Sequence, residues 1–184
     1  CSGFSNGGAT VSVTTGNLGY SYAWTTSTSP VTFGTTASVN GLAAGKYFVT
    51  VSDGSGATAV DSVTITEPAA LAAATAIDSS VSCNGLSNGG ATASATGGTG
   101  TYTYAWSTST SSVTFATTAS ITGVAAETYF VTTTDANGCS DTETVIITEP
   151  VVLAGATAID SNASCNGFFD GGVTVSATGG TGVY

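Results

Sequence analysis

The chain has 184 residues, 11 carboxylates against a single basic side chain (Lys46), no His and no Met, for a formal charge of −10. That balance excludes nucleic acid, because phosphate binding draws on Lys and Arg to displace counterions; it also disfavours an anionic membrane surface. No apolar run approaches the ~18–20 residues of a membrane span, whereas 41% hydrophobic and 9% aromatic residues suffice for a core, so disorder is excluded. Thr and Val favour a pleated surface and Gly punctuates turns. The composition is that of a secreted, β-rich protein.

Sliding the sequence by 82 positions aligns it with itself without a gap, and 49 of the first 82 residues recur. That identity makes the two stretches copies of one module. Cys1, Cys83 and Cys165 recur in step, as do Trp24 and Trp106, Phe33 and Phe115, Tyr47 and Tyr129, and Glu67-Pro68 and Glu149-Pro150. The period exceeds the roughly 20–50 residues of a solenoid unit and suits a self-contained sandwich. Each proline closes a strand-like segment and stiffens the junction after it. The expected organisation is therefore residues 1–68 as a first module lacking its first strand, 69–150 as a complete second module, and 151–184 as the start of a third. This phase predicts that the chain is an excerpt of a longer array of beads on a string.

In module 69–150 the expected strands run in chain order. Leu71–Ile77 is a first, edge-type strand and Gly90–Thr96 a second. After the Gly97-Gly98-Thr99-Gly100 turn, Tyr102, Tyr104 and Trp106 alternate with period two and share one face. Val113–Phe115 and Ser120–Thr122 are short strands between Ser/Thr turns. Tyr129–Thr134 leads into Asp135-Ala136-Asn137-Gly138, whose Asn-Gly suits positive φ, and Cys139–Thr148 is the last strand. Seven short strands with frequent turns predict an all-β, immunoglobulin-like sandwich, with the fibronectin type III-like variant a close competitor. Trp24 and Trp106 are the expected core plugs. Tyr47 and Tyr129, each shortly after a turn, are placed as tyrosine corners.

Cys83 and Cys139 fall in one module. Two readings apply: a disulfide joining the start of the second strand to the start of the last, or two free buried thiols. The disulfide is favoured; it would stabilise by roughly 4 kcal/mol in the chain-entropy account and implies an oxidising compartment. Ala57 stands where Cys139 stands in the second module, which leaves Cys1 without a partner in its own. Without a Cys-x-x-Cys pair or any His, no transition-metal site is expected. A lipidated Cys1 is a lesser reading, because its equivalence to Cys83 and Cys165 already accounts for it.

Together these motifs resemble the SprB repeat of giant surface proteins from gliding and related Bacteroidota. The carriers are Cys83-Asn84-Gly85 and Cys165-Asn166-Gly167, then Gly97-Gly98 leading into Tyr102-Thr103-Tyr104-Ala105-Trp106. Gly41-Leu42-Ala43-Ala44-Gly45-Lys46-Tyr47, Asp135-Ala136-Asn137-Gly138-Cys139 and Glu149-Pro150 complete the set. Three departures occur: Ser2 for the Asn, Ala57 for the second Cys, and Val124 with Glu127 for the Leu and Gly of module one. The resemblance implies a cell-surface adhesin or filament, exported by a type IX route and moved along the surface during gliding.

Three functions compete. A structural stalk or filament module, partnered by other copies of the same chain, fits near-identical modules and stiffened junctions. A glycan-binding module would stack sugars on the rows Tyr20, Tyr22, Trp24 and Tyr102, Tyr104, Trp106, though a core-facing row is the stronger expectation. An enzyme is the weakest reading, since only carboxylates are at hand and one active site duplicated per module is implausible. Calcium at the junction carboxylates Glu67, Asp78, Glu149 and Asp160 is a minor possibility against solvated loop carboxylates. Asp61-Ser62-Val63 resembles the three-residue O-glycosylation signal of Bacteroidota, with Ser62 the acceptor. Asn162-Ala163-Ser164 is a formal N-glycosylation sequon.

Overall fold

A computed structural model describes residues 1–182; the last two residues of the expected third module, Val183 and Tyr184, lie outside the described residues. Among the described residues every regular element is a strand. Two compact units are resolved. Unit 1 comprises Cys1–Leu71 with Gly97–Thr99, and unit 2 comprises Ala72–Thr96 with Gly100–Tyr184.

Unit 1 contains β1 (Gly7–Thr10), β2 (Ser21–Thr26), β3 (Ser38–Leu42), β4 (Gly45–Ser52) and β5 (Thr58–Ile65). β1 pairs with β3, and β2, β4 and β5 form a three-stranded sheet in that order. Unit 2 contains β6 (Ala72–Ser79), β7 (Gly89–Thr96), β8 (Thr103–Thr108), β9 (Ser111–Ala116), β10 (Ser120–Val124), β11 (Glu127–Thr134) and β12 (Ser140–Ile147). Beyond them β13 (Ala154–Ser161) and β14 (Gly172–Thr178) form a separate antiparallel hairpin.

The seven strands β6 to β12 make two antiparallel sheets, β10-β7-β6 and β12-β11-β8-β9. Their inner faces close over one core of Val81, Ala91, Ala93, Trp106, Ile121, Tyr129, Val131, Val145 and Ile147. This is an immunoglobulin-like sandwich. Its fourth strand β9 stays with β8, whereas constant-type immunoglobulin domains carry that strand on the opposite sheet. The arrangement is thus the fibronectin type III-like variant.

Period-two alternation explains the register. In β11, Tyr129, Val131 and Thr133 point inward, while Phe130 and Thr132 point out. Trp106 lies opposite Val131, and Val145 opposite Tyr129, so the large apolar side chains meet on one face. Gly89 opens β7 because a Cβ there would lie 2.7 Å from Ile147 Cγ2 and 3.0 Å from the Val124 carbonyl. Gly138, at φ 79°, takes the left-handed turn position that joins β11 to β12.

Candidate functional site

The aromatic rows are built into the interior. Trp24 is 1% and Trp106 0% exposed, and Tyr22 and Tyr104 pack against the same cores. Each indole Nε1 donates to a backbone carbonyl at 2.9 Å, Trp24 to Thr36 and Trp106 to Thr118. The polar end of the ring is therefore satisfied without water. This corrects the glycan-stacking alternative: β2 and β8 turn their tryptophans inward, and no sugar ring reaches a fully buried indole. Tyr47 and Tyr129 each donate their phenol hydroxyl to the carbonyl four residues upstream, Ala43 or Ala125, at 3.0 Å. Phe33 and Phe115 meet these rings edge-on at 5.8 and 5.9 Å.

Several carboxylates are each engaged in holding a loop. Asp135 accepts from the Asn137 and Cys139 amides, both at 2.9 Å, and so closes the β11–β12 turn. Asp53 does the same in unit 1, accepting from Ser55 Oγ, Ser55 N and Ala57 N, and from Asn17 N on a neighbouring loop. The Ser55 hydroxyl, then the Asn17 amide and the remaining backbone donors, lower the Asp53 carboxyl to about 2. Glu127 sits below its ordinary range because the Thr110 hydroxyl donates to it at 2.7 Å.

A larger clasp links the ends of β6 and β12, the first and last strands of the sandwich. Asn84 Nδ2 donates to Glu149 Oε1 at 2.9 Å and to the Pro150 carbonyl at 3.1 Å, while Gly85 N donates to Glu149 Oε2 at 2.7 Å. The Cys-Asn-Gly turn after β6 thus grips the Glu-Pro after β12. In unit 1, Gly3 N reaches Glu67 in the same way, with Ser2 standing in place of the Asn. Further along, Ala73 N donates to Asp141 Oδ2 at 2.8 Å and Thr75 Oγ1 to the Thr144 carbonyl at 3.2 Å. Val81 N donates to the Thr148 carbonyl at 2.9 Å.

This geometry overturns the expected Cys83–Cys139 bridge. Cys83 is an exposed, free thiol, as is Cys165, whereas Cys139 is disulfide-bonded. The loop that carries Cys83 meets Glu149, beyond the end of β12, through Asn84 and Gly85, and Cys139 immediately precedes the start of β12. Eight strand residues separate those ends by about 26 Å, while a disulfide needs Cα atoms within about 4.4–6.8 Å.

Of the junction carboxylates, Glu67 and Glu149 grip the loops described, Asp78 accepts from Thr92 Oγ1 and Asp160 from Thr174 Oγ1, each at 2.7 Å. Among the described residues no group of three or more metal-ligating side chains converges. Ser62 lies exposed on β5, its amide donating to the Asp61 carboxylate at 2.7 Å. Unit 1 also holds an open groove of about 450 Å³ lined by Val11, Val13, Tyr20, Asp53, Ala59 and Asp61.

The clasp is what sequence reasoning missed. Cys-Asn-Gly and Glu-Pro both recur with the period, which marks each as structural. Nothing in the sequence says that two motifs some 65 residues apart touch.

No curated protein matches this chain. Among solved structures, a match described as "Structure of amphioxus IgVJ-C2 molecule" covers 78% of this chain and 96% of that chain, at 14% identity and a TM-score of 0.39. The SprB repeat family model matches residues 75–111 and 157–184, one stretch from β6 to the start of β9 and the other its counterpart one period later. The chain therefore carries SprB repeat sequence at two regions.

Proposed function

We propose that this chain is a stretch of the non-catalytic stalk of an extracellular bacterial surface adhesin, in which successive sandwiches add length. The observation that carries this reading is where the polar chemistry is spent. Asp53, Asp135, Glu127 and Glu149 each hold a loop or a strand end, and both tryptophans fill cores. The SprB match fits the same reading, since that repeat is associated with cell-surface proteins. Its partners are other copies of the same chain, alongside which it lies in a filament or bundle. Export by a type IX route and movement during gliding accompany the resemblance and belong to this proposal. Antibody raised against the chain is expected to label intact cells of the source bacterium. Labelling only after permeabilisation would overturn the reading.

A further inference from the structure

We propose that β6 and β12 form a force-bearing clamp, so that tension along the chain loads the sandwich of unit 2 in shear; this rests on the stalk reading above. The contacts between the two strands climb in the same direction. Ala73 meets Asp141, Thr75 meets Thr144 and Val81 meets Thr148. The first and last strands therefore run parallel, side by side. The chain enters the sandwich at the start of β6 and leaves it beyond the end of β12, at opposite ends of this pair. Pulling the two ends apart slides one strand along the other. All the cross-links then carry load together, whereas an antiparallel terminal pair pulled from one end would open one bond at a time.

Two further features fix the clamp. β6 is tied on its other edge to β7 through pairs from Ala72↔Thr96 to Ile77↔Ala91, a ladder likewise loaded along the strand. At the exit, the Glu149 carboxylate is gripped by Asn84 and Gly85 of the loop that follows β6, so the trailing end of β12 is anchored to the trailing end of β6. Val81 and Ile147, each 2% exposed, hold both strands to the core. Asp141 has a specific part: its carboxylate accepts from the Ala73 amide of β6.

The test is single-molecule pulling of the full chain from terminal peptide tags, with the thiols reduced so that no disulfide short-circuits the force. Forced unfolding is governed by the unfolding rate. At fixed force, Asp141→Ala, the near-isosteric Thr75→Val and Glu149→Gln are each expected to speed the unfolding of unit 2 about three- to tenfold. Thr118→Ala removes the 2.6 Å bond from Thr118 Oγ1 to the Ser120 carbonyl, away from both terminal strands. It is expected to lower equilibrium stability while leaving the rate under force unchanged. Clamp variants no more force-sensitive than Thr118→Ala would overturn the proposal. That result leaves the cell-labelling outcome untouched, so the clamp and the stalk reading fail separately.

Discussion

Unit 1 and unit 2 carry the same buried tryptophan, the same tyrosine corner and the same carboxylate-held turn, yet they bury their inner faces unequally. Ala91, Ala93, Val145 and Ile147 of unit 2 are 0–6% exposed, whereas their counterparts one period earlier, Ala9, Val11, Val63 and Ile65, are only partly buried. What differs is β6. In unit 2 it lies along β7 and against the inner edge of β12. In unit 1 the matching residues, Val11, Val13, Ala59 and Asp61, line the open groove instead. In unit 2 the inner face is covered by β6 on β7 as well as filled by the buried tryptophan and tyrosine.

The largest expected effect sharpens what the two units share. Trp106→Ala is expected to cost unit 2 about 3–5 kcal/mol, a large part of the ~5–15 kcal/mol of a typical domain. In that variant Trp24 remains the sole tryptophan reporter, for unit 1, and Trp24→Ala leaves Trp106 to report unit 2. Denaturant titrations of the pair followed by circular dichroism check the loss in the mutated unit, with the remaining tryptophan's fluorescence marking the transition of the other. A smaller effect tests the corners. Tyr129→Phe and Tyr47→Phe each remove one hydroxyl bond to a carbonyl and are expected to cost about 0.5–1.5 kcal/mol in the same titration. Unequal losses would mean that the corners work differently in the two units.

Much of this was legible in the residues. Period-two alternation placed Trp106 and Tyr104 on one face, and the 82-residue recurrence fixed which residues correspond. The Asn-Gly turn was readable because only a left-handed position demands Gly138 there. Illegible were contacts between elements remote in sequence. Cys83 and Cys139 share a module, but sequence spacing does not tell which end of β12 each one occupies. The Asn84–Glu149 grip and the parallel run of β6 beside β12 likewise depend on how the two sheets meet, which no local pattern encodes.

Two gentler measurements probe the loops. Iodoacetamide labelling of the native chain is expected to modify Cys83 and Cys165 and to spare Cys139; a peptide map linking Cys83 to Cys139 would restore the rejected bridge. The Asp53 carboxyl is depressed in the folded state, so its stabilising contribution is present above its unfolded value of about 3.9 and is lost as pH falls through about 2. A carbon-detected NMR titration should find this carboxyl ionised well below the ordinary Asp range, and Ser55→Ala should raise its midpoint.

The central claim is that β6 seals the sandwich, and residue-resolved native-state hydrogen exchange tests it most directly. The amides of Trp106, Val131 and Val145 are expected to exchange with larger opening free energies than those of Trp24, Val49 and Val63, their counterparts one period earlier. Equal protection in the two sets would contradict the account.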